Sequence, residues 1–367
     1  MSALDGVIAA RRQEWAAAGL ERTIAPPPSE LTMFASSDYL GLARHPRVLA
    51  AVAEAAHAEG VGSTGSRLTT GTRRAHELLE AEFADFLGYP DAVFFATGYQ
   101  ANLSTLQLLG TPDVTIFSDA DNHASIIDGT RLARSRVVVY PHGDLAALEE
   151  LLAARETPHA LVVSDGVFSM SGEVVDLPGL LGVARRHGAW VMVDDAHGTG
   201  TLGATGRGVV EHAGIAPGEG PELLVVTASK ALGGEGGVVA CSAEVGGWLR
   251  QRARSFVFST APSPVTVAGV RAALAVLRES PELVGRLQGV VGKLGAGPAP
   301  IIPVPVGDER RAVALSAALR EAGFHVPAIR HPTVPRGAAI LRLCAQATHT
   351  DSDIDRLRAA LAELGAG

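Results

Sequence analysis

The chain has 367 residues, 47% of them hydrophobic and 19% charged, and its formal net charge at pH 7 is −8. These values are typical of a globular protein with room for two domains, and a net negative charge without blocks of like charge argues against general nucleic-acid binding. Two cysteines exclude a disulfide framework. Without an apolar run of about 18 residues or an apolar N-terminal segment, we expect no membrane span and no signal peptide, which indicates a cytoplasmic protein.

The N-terminal part of the chain predicts helices joined by irregular stretches. Residues 4–20 carry a rough apolar stripe typical of an amphipathic helix, and the prolines at 26–28 then force an extended arm. Two further helices are predicted over residues 47–59 and 74–87. The stretch GVGSTGSRLTTGT lies between them and predicts a loop. Arg67 within that loop favours an anion site over a merely flexible segment.

The middle of the chain alternates short apolar runs with helical stretches. The runs are nearly continuous in apolar residues, which is typical of parallel strands that are buried on both faces. Strands that alternate with helices predict a doubly wound α/β fold. The predicted strands begin at Ala92, Val114, Arg136, Ala160, Trp190, Leu223 and Gly237.

Polar residues able to do chemistry recur where these strands end. They lie at residues 97–99, 119–123, 165–169, 194–197 and 227–230. Open α/β sheets bind ligands at the carboxyl ends of their strands, so this shared location is a stronger functional signal than any single motif.

Lys230 stands out among these residues, in the stretch VVTASKALGGEGG. A buried ammonium group is costly unless it is paired, whereas a lysine whose pKa is lowered by burial becomes a nucleophile. The neighbouring hydroxyl groups and glycine amides could hold a phosphate beside it. The pattern predicts pyridoxal 5'-phosphate (PLP) attached to Lys230. The alternative is a solvated lysine at a strand end.

The stretch VMVDDAHG contains two neighbouring aspartates, one of which could provide a carboxylate to the same cofactor. PLP needs a carboxylate at its pyridine nitrogen, and we expect Asp194 rather than Asp195 to provide it, because neighbours on a strand face opposite sides. His197 follows closely. A metal site or a plain strand-end turn is the alternative, and the metal is disfavoured because no further ligand cluster lies nearby in the sequence.

Two helix starts could also face a cofactor. Gly98 and Tyr99 open a helix whose amide groups and dipole favour a phosphate, although an ordinary capping turn explains the same pattern. His123 follows the next strand, and its flat ring could lie on a cofactor ring. A capping or surface histidine is the alternative.

The C-terminal part predicts a small α+β domain that begins near residue 280. A long alanine-rich helix over residues 264–278 precedes it, and helices are predicted over residues 310–322 and 351–364. Arg342 on a strand of this domain suits a substrate carboxylate, with an edge-strand salt bridge as the alternative. We therefore expect a helix and arm over residues 1–45, a large domain over 46–279 and the small domain over 280–367.

Several strings in one order resemble a known family. From about residue 10 to 360 the chain carries DYLGL, GSTGSRLTTGT, ATGYQANL, DNHASIIDG, DGVFSMSGE, VMVDDAHGTG, TASKALG and STAPSP. These resemble the α-oxoamine synthases, which are fold-type-I PLP-dependent enzymes. The resemblance implies a transferase with a mostly parallel, seven-stranded sheet, a small α+β domain, PLP as cofactor and a homodimer.

The resemblance also assigns roles around the cofactor. It implies that Lys230 binds PLP covalently and moves protons at the substrate α-carbon, that Asp194 pairs with the ring nitrogen, and that His123 stacks on the ring. The remaining implied contacts are His197 and Ser169 on the phenolic side, Gly98, Tyr99 and Thr227 near the ring and phosphate, and Thr260 reaching the phosphate from a second subunit.

Substrate roles follow from the same resemblance. Arg22 resembles an arginine that meets the acyl substrate, and Arg342 resembles one that binds a carboxylate. Ser66 stands where glycine-using members carry threonine. The resemblance therefore implies condensation of L-alanine with a pimeloyl thioester of CoA or acyl carrier protein, giving 8-amino-7-oxononanoate, CO2 and free carrier, as in biotin biosynthesis. Ser37 and Cys344 depart from the usual asparagine and threonine, which puts specificity in question.

Other functions remain open at this point. Within the family the alternatives are a glycine-using enzyme like 2-amino-3-oxobutyrate CoA ligase and an acyltransferase of secondary metabolism. Outside it, the fold could serve a transaminating or β-eliminating PLP enzyme. A non-enzymatic relative is disfavoured because the expected catalytic residues Lys230, Asp194, His123 and His197 are all present.

Overall fold

A computed structural model of the chain describes residues 2–18, 20–21, 24, 26, 29–295 and 297–366. By compactness the chain forms two units of discontinuous segments. The small unit comprises Met1–Ala35, Pro303–Leu343 and Asp355–Gly367, and the large unit comprises Ser36–Ile302 and Cys344–Ile354. The three-part division expected from the sequence stays a prediction.

Strands and helices alternate along most of the chain. The strands are β1 (Thr32–Met33), β2 (Asp91–Phe95), β3 (Val114–Asp119), β4 (Arg136–Tyr140), β5 (His159–Asp165), β6 (Trp190–Asp194), β7 (Leu223–Thr227), β8 (Gly237–Cys241), β9 (Ile301–Gly307), β10 (Phe324–His325), β11 (Ala328–Ile329) and β12 (Ala339–Cys344). The helices are α1 (Ala3–Ala17), α2 (Pro46–Glu59), α3 (Arg74–Leu87), α4 (Gly98–Leu109), α5 (Ala124–Leu132), α6 (Leu145–Ala153), α7 (Leu177–Arg186), α8 (Val209–His212), α9 (Ala243–Arg252), α10 (Arg254–Val257), α11 (Pro264–Glu279), α12 (Glu282–Lys293), α13 (Glu309–Glu321) and α14 (Asp351–Glu363).

The large unit is built on a seven-stranded sheet, as far as the described residues go. Its strand order is β2-β8-β7-β6-β5-β3-β4. β8 runs antiparallel to both of its neighbours, and the other paired strands run parallel. The carboxyl ends of β3, β5, β6 and β7 therefore meet at one edge, where Asp165 pairs in register with Asp194. The doubly wound, mostly parallel α/β prediction is confirmed.

The core of the large unit follows from the apolar strands. Every residue of β3, β7 and β8 is buried, and because alternate residues of a strand face opposite sides, both faces of these strands are covered. One cluster joins Val93, Ile116, Leu161, Met192 and Val225 across the sheet. Each such side chain contributes about 1.5–3 kcal/mol on burial, which holds the strand ends in fixed positions.

Most predicted elements lie where the sequence placed them, and the two longer helices it missed, α9 and α12, have a common cause. The helix over 74–87 and the strands over 136–140 and 237–241 match residue for residue. α9 and α12 were not predicted. α9 contains two adjacent glycines and α12 contains three, which lowers helix propensity, and buried side chains such as Leu249 and Leu287 stabilise these helices instead.

The strands of the N-terminal and C-terminal segments form two small sheets among the described residues. β1 pairs in parallel with β10, and Phe34 packs against Phe324 with ring centroids 6.1 Å apart. β11 pairs antiparallel with β12, in a sheet of order β11-β12-β9. α13 packs against β10 and β11. Among the described residues of the whole chain, no helix has both the length and the apolarity to cross a membrane.

Candidate active site

A cavity of about 250 Å³ lies at the carboxyl ends of the parallel strands of the large unit. It brings together most of the residues that the sequence singled out for a cofactor. They are Gly98, Tyr99, His123, Ser169, Asp194, His197, Thr227 and Lys230.

Asp194 lies at the end of β6, on the wall of the cavity. The amide nitrogen of Asn102 donates to its Oδ2 at 2.5 Å, and the backbone N–H of Ala196 donates to its Oδ1 at 3.0 Å. The same Asn102 nitrogen lies 2.9 Å from Ser125 Oγ. These bonds fix the orientation of the carboxylate at the cavity.

Asp195 faces the other way and is fully buried. Its Oδ2 accepts hydrogen bonds from Thr199 Oγ1 at 2.8 Å and from the backbone N–H of Val209 at 3.2 Å. Burial raises the pKa of Asp195 to about 8, although these hydrogen bonds oppose the shift. Gly208 adopts a φ of 87°, and a Cβ there would overlap Asp195 Oδ2. Asp195 therefore anchors the loop that follows β6 and does not line the cavity.

Lys230 belongs to a chain of three side chains. It follows β7, and its Nζ lies 2.8 Å from His197 Nε2. The other ring nitrogen of His197, Nδ1, lies 2.7 Å from the hydroxyl of Tyr39. Tyr39 is fully buried and His197 nearly so, whereas Lys230 is only partly buried and reaches the cavity.

The start of α4 and the end of β7 supply hydrogen-bond donors to the same cavity. Thr97 caps α4 by accepting the N–H of Gln100 at 3.0 Å. The first N–H groups of a helix have no partner within the helix, so those at Gly98 and Tyr99 are oriented to bind an anion. Thr227 Oγ1 donates to the carbonyl of Gly236 at 2.9 Å and lies 2.8 Å from the hydroxyl of Ser229.

Tyr99 is placed in the cavity wall but its hydroxyl points elsewhere. The hydroxyl donates to the carboxylate of Asp128, and this bond raises the pKa of Tyr99 and lowers that of Asp128. The ring of Tyr99 is 43% exposed. A ring contact is therefore open to Tyr99, whereas its hydroxyl is already occupied.

His123 is held at the start of α5. Its Nδ1 lies 2.7 Å from Ser125 Oγ and accepts the backbone N–H of Ser125 at 3.2 Å. Desolvation lowers the pKa of His123, the carboxylate of Asp194 opposes the shift, and the ring keeps contact with solvent in the cavity. Asn122, the preceding residue, ties this loop to β5 through Val163 O and Asp165 N, at 2.9 and 2.8 Å.

Other predicted residues of the large unit lie outside the described lining of the cavity. Ser66 and Thr260 form a backbone bridge with each other, and Thr260 is exposed. The carbonyl of Ser37 accepts the N–H of Tyr39 at 2.8 Å. Cys344 is fully buried.

Two predicted substrate residues belong to the N-terminal and C-terminal segments. Arg342 lies on β12 in the small unit, is 8% exposed, and donates its backbone N–H to Pro327 O at 3.1 Å. Arg22 lies outside the described residues, so its predicted role stays a prediction.

The anion site expected at Arg67 is wrong. The Arg67 guanidinium lies 2.9 Å from the carboxylate of Glu80, with both side chains buried, and its Nε donates to Thr72 Oγ1 at 3.1 Å. It also lies 4.9 Å from the ring centre of Phe256. Arg67 is thus committed to holding the glycine-rich loop against the sheet.

Three residues in or beside the site were missed in the sequence. Asn102 lies one turn into α4, so its spacing from Gly98 was a usable signal. Asn122 lies directly before His123. Tyr39 is fully buried, and its hydroxyl lies 2.7 Å from His197 Nδ1.

The side chains present suit PLP. Asp194 offers a carboxylate to a ring nitrogen, Lys230 offers a primary amine to an aldehyde, and the start of α4 with Ser229 offers donors to a phosphate. Two buried oxygens at the cavity, Asn102 Oδ1 and Asp165 Oδ1, have no partner among the described residues, as a polar ligand would require. Burial, with Asp194 nearby, raises the pKa of Asp165. The described residues contain no cluster suited to a metal ion.

Known proteins resemble this chain in both sequence and fold. The family model for aminotransferase class I and II matches residues 29–361. The bifunctional biotin biosynthesis protein BioWF of Corynebacterium kroppenstedtii is 47% identical, over 94% of this chain and 55% of that protein. An 8-amino-7-oxononanoate synthase of Bordetella petrii is 45% identical, over 91% of this chain and 88% of that enzyme.

A solved structure agrees with these matches. Serine palmitoyltransferase of Sphingomonas wittichii superposes with a TM-score of 0.89 at 31% identity, covering 99% of this chain and 98% of that enzyme. The chain spans little more than half the length of the bifunctional relatives that it matches.

Proposed function

The chain belongs to the aminotransferase class I and II family, among its α-oxoamine synthases, and from this we propose that it is a PLP-dependent C-acyltransferase of biotin biosynthesis. In this proposal it condenses L-alanine with a pimeloyl thioester of CoA or acyl carrier protein. The products are 8-amino-7-oxononanoate, CO2 and the free thiol carrier. The relatives named 8-amino-7-oxononanoate synthase and BioWF, at 42–47% identity, support this assignment.

The observation that carries the proposal is the pairing of an oriented carboxylate and an amine in one cavity. Asp194 is held by Asn102, and Lys230 Nζ lies beside His197 Nε2. PLP, when bound, supplies an electron sink that stabilises negative charge at the α-carbon of the amino acid. Asp194 would hold the ring nitrogen, and Lys230 would hold the aldehyde carbon before substrate arrives.

The same residues account for the proton movements of the reaction. Lys230 takes the proton from the α-carbon of L-alanine, and that carbon then forms a bond to the acyl carbonyl while the carrier leaves as its thiol. The former alanine carboxylate leaves as CO2, and Lys230 returns a proton to the α-carbon. In this proposal His123 lies against the cofactor ring, and His197 and Ser169 contact its phenolic oxygen.

Phosphate binding is assigned to the start of α4 and the end of β7. In this proposal the N–H groups of Gly98 and Tyr99 and the exposed hydroxyl of Ser229 donate to the phosphate oxygens, and Thr227 lies beside them with its own hydrogen on the carbonyl of Gly236.

In this proposal substrate choice is assigned to residues that are not part of the described cavity lining. Ser66 is smaller than threonine and leaves room for the methyl group of L-alanine. Arg342 binds the amino-acid carboxylate through two parallel hydrogen bonds, and Ser37 and Cys344 adjust the same region. Arg22 meets the acyl chain.

A homodimer is part of the proposal, with Thr260 reaching the phosphate in the partner subunit. Large apolar side chains on the surface of the large unit support it, since Leu132, Trp248 and Phe258 are 51, 48 and 74% exposed. The cytoplasm remains the proposed location.

A different amino acid is the main alternative within the family. A glycine-using ligase would give the same cavity, and the structural similarity to serine palmitoyltransferase would allow L-serine. The 45% identity to the oxononanoate synthase of Bordetella petrii, against 31% to serine palmitoyltransferase of Sphingomonas wittichii, favours L-alanine.

The deciding experiment measures kcat/KM for L-alanine, glycine and L-serine with pimeloyl-CoA and pimeloyl acyl carrier protein. A methylene-sized difference gives about 10- to 200-fold discrimination, so L-alanine should lead and glycine should react slowly. A clear preference for glycine or L-serine would contradict the proposal.

A further inference from the structure

A histidine between two carboxylates lies beside the proposed site and outside the described lining of its cavity. His142 follows β4, and its Nδ1 lies 2.9 Å from Asp119 Oδ1 while its Nε2 lies 3.1 Å from Glu173 Oε2. Asp119 ends β3, and Glu173 comes after β5. The three side chains therefore form a cluster across the ends of β4, β3 and β5, which are neighbours in the sheet.

The two carboxylates determine the protonation of His142. An ionised carboxylate only accepts hydrogen bonds, so each ring nitrogen must carry a hydrogen, and the ring is then positively charged. Asp119 suits the ionised form, because its two oxygens also accept the backbone N–H groups of Asp121 and Gly143 at 2.9 and 3.0 Å. Desolvation lowers the pKa of His142, but the hydrogen bonds to Asp119 and Glu173 outweigh it and raise that pKa above its ordinary value.

Glu173 belongs to a turn that places Ser169 in the wall of the cavity. The N–H of Phe168 donates to the carbonyl of Glu173, and the N–H of Gly172 donates to the carbonyl of Phe168, both at 2.9 Å. The rings of Phe168 and His142 lie edge to face, with centroids 4.3 Å apart. His142 therefore contacts both ends of the turn that carries Ser169.

We propose that protonated His142 is a positioning residue that holds the turn carrying Ser169 against the end of β3, and that this hold is released when His142 loses its proton. The inference rests on the proposed contact of Ser169 with the phenolic oxygen of PLP. A neutral ring keeps one hydrogen, which stays on the buried Asp119. The side chain of Glu173 is 63% exposed, so it turns into water and away from the lone pair of Nε2.

The direction of the pH effect follows from the charges around the ring. Asp119 on β3, Asp121 on the loop after β3 and Glu173 on the turn after β5 are all acids that favour the charged ring. On the loop of His142 itself, Asp144 uses its carboxylate to cap α6. The hold is therefore complete below the ordinary histidine pKa of about 6.5 and is lost as pH rises through the raised pKa of His142.

The first measurement is the titration of His142 in the full chain, with and without PLP. Protein labelled with ¹³C-histidine is followed by NMR, and the His142 signal is assigned by its loss in His142→Asn. We expect a midpoint above about pH 6.5 in the wild type. The midpoint should be lower in Glu173→Gln, which lacks one of the two carboxylates that favour the charged ring.

Two variants of Glu173 separate the hold from the mere loss of a side chain. Glutamine can accept a hydrogen from the charged ring or donate one to Nε2 of the neutral ring, so its contact survives in both states. Alanine makes neither contact. The dissociation constant of PLP is measured by equilibrium dialysis roughly one pH unit below and one above the wild-type midpoint of His142. Dividing each value by that of the wild type at the same pH removes the pH dependence that all variants share.

The two ratios should respond to pH in opposite places. For Glu173→Ala the ratio should be about two to five below the midpoint, the factor that a partly exposed ion pair is worth, and near one above it. For Glu173→Gln the ratio should be near one below the midpoint and about 0.2–0.5 above it. Asp113→Asn is the matched control, because it breaks the exposed pair of Asp113 with His159, 3.9 Å apart at the amino edge of the sheet. Its ratio should stay near one at both pH values.

Three results would overturn the inference. They are a His142 midpoint below about 6.5 in the wild type, equal ratios for Glu173→Gln and Glu173→Ala, and ratios that do not change with pH. PLP binding with such ratios counts against the role of His142 alone. Failure of the wild type to bind PLP would overturn the proposed function as well. Failure of L-alanine as substrate would count against the proposed reaction and leave the role of His142 standing, since neither measurement needs turnover.

Discussion

The two edges of the central sheet each border a cavity. The cavity at the amino ends of the strands is the larger, about 430 Å³ against about 250 Å³, and apolar or proline and glycine residues such as Leu109, Trp190, Pro217 and Leu223 form most of its wall. The cavity at the carboxyl ends has Asp194, His123, His197 and Lys230 in its wall. The larger volume therefore does not coincide with the proposed active site, which is distinguished by converging polar side chains.

The largest effect should come from the carboxyl edge, at Lys230. Lys230→Ala removes the amine that moves the proton in the proposed mechanism, and turnover should fall by several orders of magnitude. Lys293 is the other lysine of the chain and pairs with Asp351 on the surface. Lys293→Ala is the matched control and should keep kcat within about twofold, since a surface ion pair contributes little. Comparable losses in both variants would remove Lys230 from the mechanism.

The next effect separates Asp194, the last residue of β6, from its neighbour Asp195. Asp194→Asn should lower kcat roughly 10²- to 10³-fold, as expected when an electrostatic stabiliser of the transition state is lost. Asp195→Asn should lower kcat less than tenfold, because Asp195 lies off the cavity and an asparagine oxygen can accept the bonds from Thr199 and Val209. The reverse order of kcat values would mean that the wrong acid has been placed at the ring nitrogen.

A substitution at the amino edge should lower the free energy of unfolding and leave kcat unchanged. Leu223 is 3% exposed and lies both in the core and in the wall of the larger cavity. Leu223→Ala should lower the free energy of unfolding by about 2–5 kcal/mol, measured by urea denaturation. The kcat per folded molecule should stay within about twofold of the wild type. A selective loss of kcat would show that the amino edge takes part in the reaction.

The last effect concerns the pH dependence of stability and Asp195. Its pKa of about 8 in the folded chain lies well above the value of about 3.9 in an unfolded chain. Between these values the folded state keeps a proton that the unfolded state releases, so this contribution to stability is full at low pH and is lost as pH rises through 8. The free energy of unfolding should therefore fall more between pH 5 and 8 in the wild type than in Asp195→Asn. Equal pH dependence in the two proteins would contradict the buried, protonated carboxyl.

The sequence predicted which residues lie at the carboxyl edge, because each of them is placed there by the strand that precedes it in the chain. Lys230, Asp194 and His123 each follow an apolar strand, and parallel strands must end at the same edge, so their proximity needed no knowledge of side-chain contacts. The elements that form that edge were also visible as apolar runs.

The contacts between distant positions could not be predicted in the same way. Tyr39 and His197 are 158 positions apart, so nothing local shows that they share a hydrogen bond. The anion site at Arg67 was predicted wrongly for the same reason. In the sequence Glu80 is only a polar residue of a helix, and nothing local shows that its carboxylate pairs with Arg67. α12 was missed because its glycines lower the helix propensity of the segment, and the helix is stabilised by buried contacts that the sequence does not show.

The central claim is that the carboxyl edge binds PLP on Lys230, and borohydride reduction tests it most directly. The purified protein with PLP is reduced, digested and mapped by mass spectrometry, and the chain offers only two lysines to distinguish. The account predicts that the reduced cofactor is attached to the peptide containing Lys230, with loss of the visible absorbance. A label on Lys293, or no label at all, would contradict it.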